Sequence, residues 1–143
     1  MFTGEYQHLI DSKNRLFVPA AFRKKAGRKF VITCGLEQCL FMYTPGEWKR
    51  ITSRFTNIPF TKSDARKFLR IFLSGAVESF LDVQGRVLLP QNLASYAHLA
   101  KNAMLIGVGS RIEIWNRNEW IRYRKDAREK YVQIAEKLVD FGI

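Results

Sequence analysis

Asp11-Ser12-Lys13-Asn14-Arg15 and Asp82-Val83-Gln84-Gly85-Arg86 decide how this chain is read. Both have the form Asp-x-x-(Asn/Gly)-Arg. Both run into three apolar residues and a proline, Leu16-Phe17-Val18-Pro19 and Val87-Leu88-Leu89-Pro90, at an offset of 82 − 11 = 71 residues. An Asp that opens a tight turn accepts hydrogen bonds from backbone N–H groups two or three residues on. Asn14 and Gly85 fall at the same place, and Asn and Gly tolerate positive φ most readily. Asp11, Asn14, Asp82 and Gly85 are therefore the expected turn formers. Each Arg then leads a strand. It either staples the turn by pairing with the Asp four residues back, or projects a guanidinium beside a rigid ribbon. Two copies on a basic chain favour the second role.

Outward from these turns the chain reads as a duplication. The first copy predicts a strand at 5–10, the Asp11 turn, a strand at 15–18, Pro19 opening a short helix over 20–26, and a hairpin of 30–33 with 39–43. Thr44-Pro45-Gly46-Glu47 then has the form of a capping box, leading to Trp48. The second copy predicts a strand at 77–81, the Asp82 turn, a strand at 86–89, and a helix through Leu93, Ala94, Ala97 and Ala100. A hairpin of 104–107 with 111–115 follows, then the capping box Asn116-Arg117-Asn118-Glu119 and Trp120. Between the copies, Thr61-Lys62-Ser63-Asp64 reads as a helix cap, with an amphipathic helix to Ser74 and Gly75 ending it. A longer helix over 117–140 carries Trp120, Ala127, Tyr131, Ile134 and Leu138 at heptad-like spacing. That seam fits packing on its own domain, with an oligomer contact as the second reading.

The expected class is α+β: repeat 1 over 5–48, a connecting helical segment over 49–76, repeat 2 over 77–120, and a C-terminal helix over 121–143. A unit of about 45 residues is too small to bury a core alone. The two are expected to share one compact domain, a pseudo-symmetric β-barrel with helices appended.

Composition narrows function. The chain has 143 residues, 24 Lys+Arg against 13 Asp+Glu, and a formal charge of +11. Residues 1–75 hold 14 basic and 5 acidic residues and residues 76–143 hold 10 and 8, so the surplus lies in the first half. A basic face favours a polyanion, and nucleic acid is the commonest in the cytosol. No basic amphipathic helix with an apolar face stands at either end to favour a membrane surface. No apolar run is long enough to span a bilayer, and no secretory signal opens the chain. A cytoplasmic protein is expected, with Cys34 and Cys39 as free thiols rather than a disulfide or zinc site. No cofactor is expected. His8 and His98 are isolated, and Gly107-Val108-Gly109-Ser110 lacks the Gly-Lys-Ser/Thr ending of a phosphate loop, so an enzyme is not expected.

The paired Asp-x-x-x-Arg turns, each before a strand ending in proline, resemble the SpoVT–AbrB superfamily of DNA-binding domains, and the tandem arrangement resembles the MraZ family within it. The matching stretches are Phe2-x-Gly4-Glu5-Tyr6-x-His8, Asp11-x-Lys13-x-Arg15, Phe72-x-Ser74-Gly75-Ala76, Asp82-x-Gln84-Gly85-Arg86 and Ile112-Glu113-Ile114-Trp115. Asn14 departs from the pattern, where the family more often has Gly. The resemblance implies a swapped-hairpin barrel built from both halves, ring-shaped homo-oligomers, and a nucleoid-associated transcriptional regulator. Such a regulator binds repeated promoter boxes upstream of the division and cell-wall gene cluster, usually as a repressor.

The candidate DNA-binding residues are Lys13, Arg15, Arg23, Lys24, Lys25 and Arg86. Arg15 is expected to read guanine. Lys13 shares its loop and can reach a base or a phosphate. Arg23, Lys24 and Lys25 would neutralise phosphates. Arg86 is the counterpart of Arg15, with the first repeat expected to contribute more. The competing functions are an oligomeric ring scaffold and a general nucleic-acid binder without sequence-specific regulation.

Overall fold

The computed structural model describes residues 1–141. The elements run β1 (Glu5–Leu9), β2 (Arg15–Phe17), α1 (Ala20–Ala26), β3 (Lys29–Cys34), β4 (Leu40–Tyr43), α2 (Pro45–Ser53) and α3 (Ser63–Ser74). They continue with β5 (Val77–Phe80), β6 (Arg86–Leu88), α4 (Gln91–Tyr96), β7 (Asn102–Val108), β8 (Arg111–Asn116), α5 (Arg117–Glu129) and α6 (Tyr131–Glu136). The fold is α+β, and every strand pair is antiparallel.

Pairing crosses the repeat boundary. β1 lies on β7 and β5 lies on β3. At the centre β4 lies on β8 with Phe41 opposite Glu113, and β2 lies on β6 with Leu16 opposite Val87. The residues in these two central pairs are 72 and 71 positions apart, the offsets of the duplication itself.

The strands do not close into the expected barrel. They form an open six-stranded sheet, β1-β7-β8-β4-β3-β5, and a separate two-stranded ribbon, β2-β6. Among the described residues, a single isolated bridge, Ile10 to Leu16, joins the ribbon to β1.

Alternation places the core on both sheet faces. Leu40 and Met42 of β4 join Leu16, Val18, Phe22, Val87, Leu89 and Leu93 on the ribbon side. Phe41 and Tyr43 face the other way, with Phe72, Ile106 and Trp115. The one buried carboxylate among the described residues, Glu113, is fully engaged. It accepts from Arg111 Nε at 2.9 Å, Arg111 Nη2 at 2.7 Å and Trp115 Nε1 at 3.0 Å. Such pairing is what makes a buried charge tolerable.

Helix starts follow local chemistry at two sites and not at a third. Thr44 Oγ1 accepts from Glu47 N at 3.2 Å and Asn116 Oδ1 from Glu119 N at 3.1 Å, as their capping boxes require. At α3 the cap position falls to Lys62, which makes no side-chain cap bond. The second-repeat helix stops at Tyr96, short of the expected Ala100, and His98 turns the chain at φ 52°. The long C-terminal helix breaks at Lys130, with α6 and a short 3-10 turn beyond. α5 is held where Trp115 meets Trp120 and Tyr123 at 5.2 and 5.0 Å. No residue of α5 or α6 is buried, and beyond Arg124, which pairs with Glu5 of β1, little tertiary packing supports the helix. Tyr131, Ile134 and Leu138 of the heptad-like seam are exposed. Positions 142–143 of the expected C-terminal segment lie outside the described residues.

Candidate nucleic-acid interface

The two turns are built alike, atom for atom. Asp11 Oδ1 accepts from the backbone N–H groups of Lys13 and Arg15, both at 2.9 Å, and Oδ2 from Arg15 Nε at 2.7 Å. Asp82 Oδ1 accepts from Gln84 N at 2.9 Å and Arg86 N at 3.0 Å, and Oδ2 from Arg86 Nε at 2.8 Å. Asn14 sits at φ 58° and Gly85 at φ 80°, the left-handed region the turn demands. The turns also hold each other. Leu89 N donates to Asn14 O at 2.8 Å and Val18 N to Gly85 O at 3.0 Å.

The staple and the projecting guanidinium are therefore one arrangement. Asp11 holds Arg15 by Nε, and the two terminal nitrogens of Arg15 make no hydrogen bond among the described residues. The Arg15 side chain is 34% exposed. Arg86 is more enclosed at 19%; its Nη1 lies 3.7 Å from Asp11 Oδ2 and its Cζ 6.0 Å from the Phe17 ring centroid. A cleft of about 750 Å³ opens beside the ribbon, lined by His8, Asp11, Ser12, Arg15, Phe17 and Arg86 among others. Burial, and then the charge of Arg23, hold the His8 pKa below its ordinary value. His8 is therefore neutral near pH 7 and adds no cation there.

The other candidates separate. Lys13 is exposed in the first turn and Lys24 is exposed on α1. Lys25 donates from Nζ to Met1 O at 2.8 Å and lines a cleft with Phe2, Thr44 and Glu47, none of them a turn residue. Arg23 reaches across to the second turn. A Cβ built on Gly85 would lie only 2.8 Å from its Cζ. Sequence reading missed two neighbours of the turns. Gln91 Oε1 accepts from Asn14 Nδ2 at 2.9 Å. Arg28 O accepts from Leu81 N at 2.8 Å, next to Asp82. Arg28 follows Arg23, Lys24 and Lys25 closely in sequence, but nothing local told that its backbone docks beside the other repeat's turn.

The turn carboxylates are acid-stable. The Arg15 backbone N–H, ahead of its guanidinium and the Lys13 N–H, holds Asp11 below its ordinary 3.8, and the Arg86 backbone N–H leads the same effect on Asp82. A pKa lowered on folding contributes stability that is present above the unfolded value and lost as pH falls through the folded one. The melting-temperature gap between the parent chain and an Asp11→Asn/Asp82→Asn variant is thus expected to stay constant over about pH 5–8. It should close below the ordinary value of 3.8. A gap unchanged to about pH 2 would show that these carboxylates do not titrate with folding.

Fold and site together define a class: a tandem-repeat α+β protein in which two Asp-anchored arginine turns meet on one ribbon. The family model for "MraZ protein" matches residues 1–71 and again residues 72–142. The chain belongs to the MraZ family. It is 51% identical over 143 residues to a protein named "Transcriptional regulator MraZ" from Pelotomaculum thermopropionicum, covering 100% of this chain and 99% of that one. Proteins of the same name from Moorella thermoacetica and Desulfitobacterium hafniense are 50% and 51% identical over 143 residues, with 100% of each chain covered. Among the described residues no group of His, Cys, Asp and Glu is placed to hold a metal, and no helix is long and apolar enough to cross a membrane.

Proposed function

We propose that this chain is a transcriptional regulator that binds double-stranded DNA sequence-specifically through its basic turns. It acts as a repressor of the division and cell-wall gene cluster by occupying repeated promoter boxes. Its working form is a ring-shaped homo-oligomer, cytoplasmic and nucleoid-associated, built on pseudo-symmetric swapped hairpins. The relatives' names support the regulatory role. One observation carries the DNA reading: Arg15 is pinned by Nε on a +11 chain, while its terminal nitrogens make no hydrogen bond among the described residues and its side chain is part-exposed. That fork matches guanine O6 and N7. Lys13 supports it from the same loop, and Arg23, Lys24 and Lys25 supply phosphate contacts. Arg86 is the more enclosed counterpart.

Competition among duplex DNA, single strands and RNA at one salt concentration tests this reading. Preference for a duplex, selected by the protein from random sequence, is the expected result. Equal affinity for all three would favour the general binder, and no affinity the ring scaffold. Lys24→Ala is expected to weaken selected and scrambled duplexes alike and to lower the slope of log K against log salt by about one. Filter binding across salt measures it; a loss confined to one sequence would mean that Lys24 reads bases.

A further inference from the structure

We propose that the cleft between the end of α1 and the Asp82–Arg86 turn is a phosphate seat in which Arg23 and Arg28 grip a phosphodiester of the duplex backbone. This rests on the DNA reading above and assigns the second turn a role of its own.

The cleft has a volume of about 390 Å³ and is lined by Arg23, Gly27, Arg28, Leu81, Asp82, Val83 and Gly85. Two elements from different repeats make it. The Arg28 backbone is tied to the second turn through Leu81 N. Arg23, from the last turn of α1, lies along Gly85, where the lack of a Cβ leaves room for its guanidinium.

Cations in the last turn of a helix ordinarily complement its C-terminus. That role requires neither Arg28 nor the reach of Arg23 to another repeat. Nor are these charges neutralised among the described residues. Among the described residues neither Arg23 nor Arg28 has a salt-bridge partner, and Arg23 Nε is buried without an acceptor. The carboxylate in the cleft, Asp82, is already engaged at both oxygens by its own turn. Two unpaired guanidiniums beside a rigid turn form a site for an anion with several acceptor oxygens.

The first turn has no such seat. The residue 71 positions after Arg23 is Ala94 (94 − 23 = 71), and Asn14 meets the neutral Gln91 instead. Two cations of the first half are thereby placed at the second turn. Arg15 reads on one turn, and Arg23 with Arg28 holds the backbone on the other.

The test measures the salt dependence of duplex binding by the full chain. Arg28→Ala removes an exposed cation. Gly85→Asn keeps a residue that tolerates the turn, as Asn14 does, but fills the space Arg23 occupies. Each is expected to make the slope shallower by about one per subunit and to weaken selected and scrambled duplexes equally. A second arm needs no DNA. At matched ionic strength, pyrophosphate should raise the melting temperature of the parent chain above its value in chloride, and the rise should vanish in both variants.

An unchanged slope in a folded Arg28→Ala protein, with parent duplex binding intact, overturns the seat and leaves the DNA reading standing. A loss confined to one duplex sequence also overturns it, since it would make Arg28 a base reader. If the parent chain binds no duplex, the DNA reading fails and the pyrophosphate arm decides alone. There, a rise lost in both variants supports the anion seat and no rise refutes it.

Discussion

Arg15→Ala is expected to abolish the preference for a selected duplex over a scrambled one while leaving the proposed oligomer intact. The size of the loss follows from the contact. A bidentate arginine–guanine pair discriminates by about 1–3 kcal/mol, roughly 5- to 150-fold per box. A ring of the proposed kind, engaging several boxes, would multiply that ratio through avidity. The fold has little stake in the side chain. Arg15 is part-exposed, and the Asp11 Oδ1 bonds that shape the turn go to backbone N–H groups, which alanine retains. Fluorescence anisotropy on both duplexes, with size-exclusion chromatography on the same samples, separates selectivity from assembly. Arg86→Ala should show the opposite balance. Arg86 is the more enclosed side chain and lies near both Asp82 and Asp11, so its removal should affect stability more than selectivity.

Phe22→Ala is expected to cost about 3–5 kcal/mol of stability, the range for deleting a buried aromatic ring. Phe22 is 1% exposed and meets Phe2 and Tyr6 edge-to-face at centroid distances of 5.6 and 5.2 Å. The ring ties α1 to the β1 segment, which itself pairs with β7 of the other repeat. Its loss therefore loosens the contact between the halves. Domains of this size have about 5–15 kcal/mol in total, so the variant should melt tens of degrees lower or fold incompletely. Urea denaturation measures it. A cost below about 1 kcal/mol would mean that α1 is not anchored through this ring. Selectivity per folded molecule should be unchanged, which sets this variant apart from Arg15→Ala.

The turns were legible because their chemistry is local. An Asp, a positive-φ residue and an Arg at fixed spacing specify the bonds within each turn at Asp11 and Asp82. The strands were legible because the apolar runs are short and bounded by turn residues. The partners within each hairpin, β3 with β4 and β7 with β8, were legible too, but partners across the repeats were not. Alternation tells which face of β1 is buried, but nothing in residues 5–9 names β7 rather than a neighbour in the same repeat. The destination of Arg23 was hidden for the same reason. Its place on α1 is a matter of local sequence, while its position against Gly85 follows from how the repeats interlock. At α3, Thr61 and Ser63 both suit a cap, but the position falls between them at Lys62. The reading of the C-terminal seam as packed on its own domain does not hold beyond Trp120, because heptad spacing marks a surface that could pack without naming what covers it. Tyr131 and Val132 stay exposed.

The central claim is that the Asp11-anchored fork of Arg15 reads a guanine directly. It is tested by combining Arg15→Ala with replacement of each guanine in a selected duplex by 7-deazaguanine, which lacks the N7 acceptor. At one guanine the base change should weaken the parent protein severalfold and leave the Arg15→Ala protein unaffected. Losses that simply multiply at every guanine would contradict it.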